Sequence, residues 1–286
     1  MTSRTDRREP DVYIVGLGIK GIEHITRETE SACRRSQEIL AVPTLPAGMT
    51  FLRSLCDRVT DLHPVSYKED ENRLNAYDTM SAMVLEAALD HPPVTFATYG
   101  HPLVYVYPTR QILDAAPYLG LNVRVLPAVS ALDTMIIDLD FDPAIDGLQM
   151  YEATDLLVRQ RPLQTDVPCM LWQVGAVESV LYSSAPNSPE RFFRIKDYLL
   201  RFYPPEHEVA AVYSSPHPLF EASVVRFTLG AMEQHHDQLH QGLTLYIPPL
   251  TRRSVADTDL IERIESVDHL RAITHDTAAP GSGARG

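Results

Sequence analysis

Apolar residues recur through the first half of the chain as short β-rich runs separated by helical patterns. The runs are VYIVGLG from Val12, ILAVP from Ile39, VTFATYG from Val94 and NVRVLPAV from Asn122. Helices are predicted from Thr26, near Met49–Arg58, around Asn72–Leu89 and near Thr109–Leu119. Thr26 is a hydroxyl cap followed by acids in RETESACRRSQEIL, the composition of a helix start. Strands alternating with helices predict an α/β fold, a mostly parallel sheet with helices on its faces. From about residue 128 the texture changes. LQMYEATDLL, PCMLWQVG, EVAAVYSS, SVVRFTLG and GLTLYIPP surround a helical stretch at about Ser188–Phe202, and their short connections let several of them pair antiparallel. The pattern therefore predicts an N-terminal α/β domain over 11–127, a mixed α+β C-terminal domain over 128–250, and an extension over 251–286. In that extension Leu260, Ile261, Ile264, Val267 and Leu270 fall at 3/4 spacing, one face of a helix over Asp257–Leu270. The closing HDTAAPGSGARG lacks the apolar content to order itself.

Gly16, Gly18 and Gly21 in DVYIVGLGIKG match the dinucleotide fingerprint G-x-G-x-x-G. In a nicotinamide-binding fold the third glycine opens the helix that holds the pyrophosphate, and an acid about 20 residues on takes the ribose hydroxyls. Here the helix starts later, at Thr26, and the next apolar run ends at Pro43 without an acid. These glycines are expected to permit a tight strand-to-helix turn and not to bind NAD.

Charge and cysteine content narrow the classes. The 286 residues carry a formal net charge of -13, which argues against a general nucleic-acid surface, since that affinity rests on Lys and Arg neutralising phosphates. Cys33, Cys56 and Cys169 are far apart with no C-x-x-C spacing, so they are expected to be ordinary thiols in a reducing cytoplasm. No apolar run approaches the roughly 20 residues of a spanning helix, and no membrane association is expected. His235, His236 and His240 imitate a metal-ligand spacing, but their segment is polar all round and no metal site is expected.

Two strand ends place glycine beside polar and aromatic groups: FATYGHPLVYVYPT (Phe96–Thr109) and LPAVSALDTM (Leu126–Met135). Ligands of open α/β folds lie outside such carboxyl ends, and Gly100 would let one approach the backbone. Gln173 ends the apolar run of PCMLWQVGAV, where an amide needs partners. YIVGLGIKG with HIT, YGHP, LPAVSA and LYIPP, in this order, resemble the tetrapyrrole methylase fold of S-adenosylmethionine-dependent methyltransferases over roughly residues 11–250. Within that superfamily the chain is similar to the borosin peptide α-N-methyltransferases through NRLNAYDTM (Asn72–Met80), YGHPLVYVYPT, LPAVSALD, MYEATDLLVRQRP (Met150–Pro162) and WQVGAV.

The resemblance implies a two-domain fold with S-adenosyl-L-methionine in the cleft. Carried over by position, Tyr99, Gly100, His101, Val104, Ser130, Ala131, Gln173, Ser214 and Thr244 would line the donor site, with Ser214 and Thr244 matching most loosely. Arg73, Tyr77, Tyr67 and Tyr99 would be the catalytic set. Arg73 and Tyr77 stand at i and i+4, so on a helix they can address one atom. An amide nitrogen is a poor nucleophile, and a guanidinium with phenolic hydroxyls can stabilise the oxyanion of its imidate-like state, while a tyrosine can take the proton. A further tyrosine that the family can carry three positions before Tyr67 is Pro64 here. The resemblance also implies a precursor peptide as substrate, expected as a separate chain because GSGARG has no apolar core-peptide run, and a homodimer. Two rival readings are carbon methylation of a polycarboxylate tetrapyrrole or other small molecule, and a noncatalytic binding module. The acidic balance argues against the first, and Arg73, Tyr77 and Tyr99 together argue against the second.

Overall fold

The structure, a computed structural model, describes residues 9–43 and 45–274. The first eight residues and the HDTAAPGSGARG segment, for which the sequence predicts no order, lie outside the described residues.

Strands β1 (Val12–Gly16), β2 (Glu38–Val42), β3 (Val59–Asp61), β4 (Val94–Thr98) and β5 (Val123–Leu126) form one sheet in the order β3-β2-β4-β1-β5, and every pairing in it is parallel. β1 and β4 are buried at every position, as continuous apolar runs are when helices cover both faces of a sheet. Alternation divides them between two cores. Tyr13, Val15, Ile39, Ala41 and Ala97 pack with α1 (Arg27–Arg35) and α2 (Pro46–Arg53). Val12, Ile14, Leu40, Val94 and Phe96 pack with Met80 and Val84 of a long helix and Ile112 of the next. Thr26 caps α1 by accepting from the Thr29 amide at 3.0 Å, as its position in the sequence predicts.

A single turn, α3 (His63–Ser66), leads into α4 (Arg73–Asp90), the long helix. Asn72 caps α4 by accepting from the Leu74 amide, and α5 (Tyr107–Ala115) packs beside it. The helix expected near Met49–Arg58 begins earlier, with Pro46 in its first turn, and stops at Arg53; Val59–Asp61 then pairs with β2 as an edge strand. Three residues are too few to show a period, which hides β3 from pattern reading.

The second sheet has the order β6-β7-β10-β8-β9, built from β6 (Gln149–Glu152), β7 (Cys169–Trp172), β8 (Glu208–Tyr213), β9 (Ser223–Thr228) and β10 (Thr244–Ile247). Helices α6 (Ala131–Asp138) and α7 (Pro143–Asp146) precede it. β6 and β7 are parallel because α8 (Ala153–Arg159) crosses between them, and the other pairs are antiparallel. One face, with Leu171, Ala211 and Leu245, packs on Leu156 of α8 and on Ile195 and Leu199 of α9 (Phe193–Leu199). The other face, with Met170, Trp172, Ala210 and Val212, meets Met135 of α6.

Both sheets belong to one compact unit that ends at Leu250, and a second unit begins at Thr251. The second unit holds two short helices, α10 (Thr258–Arg263) and α11 (Val267–Ile273), in place of the single helix predicted there. Asp257 caps α10 and Ser266 caps α11, so the internal serine interrupts an otherwise continuous apolar stripe.

Candidate active site

The glycine-rich turn after β1 binds the chain itself. A Cβ built on Gly16 would lie 2.2 Å from the Gly100 carbonyl oxygen, 2.5 Å from Ala128 Cβ and 2.9 Å from Pro102 Cδ, so only glycine lets the loops after β4 and β5 close over β1. Gly18, at φ +69°, donates its amide to Gly100 O at 3.3 Å and accepts from the Gly100 amide at 3.0 Å. The next amides, of Ile19 and Lys20, point to His24 Nδ1 at 3.3 and 3.2 Å. Amides that cradle a phosphate in a dinucleotide fold are here taken by an imidazole of the same chain. Burial, reinforced by Lys20, holds His24 below its usual pKa and favours the neutral ring that can accept.

Behind this turn lies a cavity of about 500 Å³ into which both sheets reach: Phe96 from the first, Trp172 and Val212 from the second. The nine residues read as donor-binding, Tyr99, Gly100, His101, Val104, Ser130, Ala131, Gln173, Ser214 and Thr244, all line it. Four follow β4, two begin α6, Gln173 follows β7, Ser214 follows β8 and Thr244 starts β10. Gly100 is left-handed at φ +67°, and a Cβ on it would touch only Ile19 Cδ1 at 3.6 Å, so the cavity reaches its backbone. Two hydroxyls are committed elsewhere. Ser130 forms a capping box with Asp133, and Ser214 accepts from Thr134 at 2.8 Å and donates to Asp138. Both therefore shape the wall while their side chains hold α6. Burial, with Tyr213 nearby, pushes the Tyr99 phenol well above its usual pKa.

A second cavity, of about 330 Å³, adjoins the first; Tyr77, Tyr105, Val106, Tyr107 and Gln173 line both. Arg73 lines only the second cavity, Tyr67 and Tyr99 line only the first, and Tyr77 bridges them. The Arg73 guanidinium is held from behind, donating from Nη2 to Ser179 O at 2.7 Å and from Nε to Val180 O at 3.4 Å. Tyr67 meets Tyr77 edge-on, with ring centroids 6.3 Å apart, and leans on Tyr182 at 5.3 Å. Burial foremost, then Tyr77, raises the Tyr67 phenol well above its usual pKa. The Tyr67 phenol therefore stays protonated, as a hydrogen-bond donor.

Lys68–Asn72, the acidic run KEDEN between Tyr67 and Arg73, is tied to a distant segment. Asp70 N donates to Tyr182 O at 3.0 Å, Tyr182 N to Glu71 O at 2.8 Å and Arg73 N to Val180 O at 2.9 Å, while Ser183 and Ser184 donate to the Glu69 carboxylate. These serine contacts hold Glu69 below its usual pKa. The run is a strap fastened to the segment after β7.

The three clustered histidines have separate partners. His235 stacks on Phe227 at 4.6 Å, His236 Nδ1 lies 2.8 Å from Asn187 O, and His240 packs edge-on to Tyr213 while its Nδ1 accepts from the Gly242 amide. Among the described residues no three His, Cys, Asp or Glu side chains are grouped to hold a metal, and no helix is long and apolar enough to cross a membrane.

Sequence reading missed Trp172, Tyr105 and Tyr213 in the cavity wall. For Trp172 and Tyr213 the signal was present: each immediately precedes a residue already assigned to the site. Tyr105 likewise adjoins Val104, although its left-handed backbone, φ +56°, is unforeseeable for a tyrosine.

Comparison with known proteins agrees with this architecture. Residues 11–231 match the family model of tetrapyrrole (corrin/porphyrin) methylases. The chain is 29% identical over 267 residues to the methyltransferase/ribosomally synthesized cyclic peptide dendrothelin A precursor of Dendrothele bispora, covering 93% of this chain and 64% of that protein. It is 31% identical over 269 residues to the methyltransferase/ribosomally synthesized type I borosin cyclic peptide precursor of Serendipita vermifera, covering 92% of this chain and 64% of that one. The chain thus spans less than two thirds of the length of these relatives. Among solved structures, the fold is similar to Thermus thermophilus uroporphyrin-III C-methyltransferase complexed with S-adenosylhomocysteine, with TM-score 0.58 and 16% identity over 83% of this chain and 96% of that chain.

Proposed function

Because the chain belongs to the tetrapyrrole (corrin/porphyrin) methylase family, we propose that it is an S-adenosylmethionine-dependent methyltransferase acting on backbone amide nitrogens of a ribosomal peptide. The carrying observation is the pair of adjoining cavities: one lined by all nine donor-site residues, the other holding Arg73, with Tyr77 in the wall between them. The first falls within the roughly 300–1,000 Å³ of small-molecule sites and keeps open space over Gly100, which fits a folded nucleoside–amino acid. Tyr99, Gly100, His101, Val104, Ala131, Gln173 and Thr244 hold it, with Ser130 and Ser214 shaping the wall. When bound, the donor supplies an electrophilic methyl on a sulfonium sulfur.

The acceptor amide lies in the second cavity against Tyr77. Arg73 and the Tyr77 phenol donate hydrogen bonds to its carbonyl oxygen, favour charge on that oxygen, and leave the nitrogen more nucleophilic, while Tyr67 packs edge-on against Tyr77 and fixes its ring. The raised pKa of Tyr67 and Tyr99 keeps those hydroxyls as hydrogen-bond donors, and the proton lost from the methylated nitrogen passes to water. Arginine suits the oxygen because its planar fork spends two N–H groups on Ser179 and Val180 and still presents others. Among the described residues, the side chains lining these two cavities include two arginines, Arg73 and Arg110, and no lysine. That favours a peptide over a polycarboxylate tetrapyrrole, which calls for a cluster of such groups.

Calorimetry with S-adenosylhomocysteine in chelator, and with NAD, tests the donor site; binding of NAD alone would overturn it. Incubation with the methyl donor and an apolar peptide, followed by mass spectrometry of the peptide and of the enzyme chain, tests the acceptor. Additions of about 14 Da on backbone nitrogens are expected. Methylation only of carbon on a tetrapyrrole would refute the peptide reading. A homodimer belongs to the same reading, and light scattering checks it.

A further inference from the structure

Four buried side-chain polar atoms among the described residues have no hydrogen-bond partner: Thr109 Oγ1, Trp172 Nε1, Tyr203 Oη and Glu233 Oε2. Of these residues only Trp172 lines the donor cavity. Its side chain sits at the end of β7, only 7% of the residue is exposed, and an indole nitrogen can donate but never accept. A buried N–H without an acceptor is costly and asks for an explanation.

The surroundings fix the ring. Tyr105 lies against it with ring centroids 5.0 Å apart and planes 31° from parallel. Both Tyr105 (φ +56°) and Gln173 (φ +57°), the residue after the tryptophan, hold left-handed backbone. Such strain persists in non-glycine residues only where the surroundings over-determine it, and it gathers at ligand sites. Both residues also form the wall shared with the acceptor cavity. The indole is thus clamped, at a cost in backbone strain, with its one polar atom unspent.

We propose that Trp172 is a donor-binding residue, its Nε1–H donating to an acceptor atom of the bound sulfonium nucleoside or its demethylated product. This rests on the methyltransferase reading above and adds a residue to its site. Trp172→Phe keeps an aromatic ring against Tyr105 and removes the N–H.

The chain has one tryptophan, so a ¹⁵N–¹H correlation spectrum of the full chain contains one indole Nε1–H signal. Titration with S-adenosylhomocysteine should move that signal downfield and slow its exchange with solvent. Trp172→Phe, with unchanged circular dichroism, should bind the same compound about tenfold more weakly. An unmoved indole signal under saturating ligand, or parental affinity in a folded Trp172→Phe, would overturn the assignment while leaving the methyltransferase reading intact. If Trp172→Phe does not fold, the signal of the unsubstituted protein decides alone. If the parent does not bind the compound at all, the methyltransferase reading fails and the role of Trp172 fails with it.

Discussion

Gly16→Ala separates two explanations of the glycine-rich turn. The added methyl would lie 2.2 Å from a backbone oxygen, 2.5 Å from Ala128 Cβ and 2.9 Å from a proline ring, none of them the far end of a flexible side chain. Relief requires the Gly100–Pro102 loop to move away from β1 by about 1 Å, given carbon contact distances of roughly 3.5 Å. Overpacking of this kind costs about 1–3 kcal/mol, and rigid neighbours on three sides put this site at the upper end. At about 2–4 °C per kcal/mol for a chain of this size, the thermal midpoint should fall by roughly 5–10 °C. Because the displaced loop carries Gly100 and His101, affinity for S-adenosylhomocysteine should fall with it. Gly21→Ala is the control: its methyl meets nothing within 4 Å, so only the left-handed φ of +56° opposes it, at about 1–2 kcal/mol. Its ligand affinity should stay parental, whereas a dinucleotide cradle would suffer at its third glycine. Urea denaturation and calorimetry on both variants measure the outcome. Parental stability and affinity in Gly16→Ala would refute the close-approach argument, and loss of affinity in Gly21→Ala alone would restore the cradle.

Arg73→Lys and Tyr77→Phe should each lower methyl transfer by roughly 100-fold to 1,000-fold in single-turnover assays, as loss of an oxyanion donor does, with donor affinity in calorimetry unchanged. His24 is held below its usual value of 6.5, so its contribution to stability is complete above that pH and is lost as pH falls towards its folded pKa. Urea midpoints measured from pH 7.5 down to pH 5 should therefore drop more steeply for the parent than for His24→Gln, and parallel curves would contradict this. Glu69→Gln should loosen the strap, raising the exchange rate of the Ser184 amide in mass spectrometry while leaving that of β1 unchanged; the parent should show the same loosening as pH falls below about 4.5, the ordinary carboxylate value.

Much of the fold was legible in the chain because β1, β2, β4 and β5 are long enough to show a run and are separated by helices. Thr26 declared α1 by cap chemistry that depends only on neighbouring residues. What escaped depends on partners distant in sequence. β3 exists because β2 offers an open edge, and the break between α10 and α11 rests on one serine choosing to cap. The strap escaped for the same reason, since KEDEN is acidic and polar like any solvated loop until Ser183 and Ser184 are brought to it. At the site, family likeness supplied Arg73, Tyr67, Tyr77 and the nine donor-site residues, which line the two cavities, but not Trp172 or Tyr213 beside them. It did not supply the commitments of Ser130 and Ser214, which follow from α6 and its neighbours and reverse the role their hydroxyls suggest.

The carbonyls that hold Arg73 lie 106 and 107 residues further along the chain. During synthesis, at about 5–20 residues per second, α4 therefore leaves the ribosome roughly 5–20 s before its guanidinium has anything to grip. The first sheet can close in that interval, since all its strands precede residue 127. A nascent chain would then hold a finished half-fold whose arginine lacks the two carbonyls that orient it. The Arg73 side chain is fixed only when the segment after β7 has been made, so the order of translation sets when this wall of the cavity is complete.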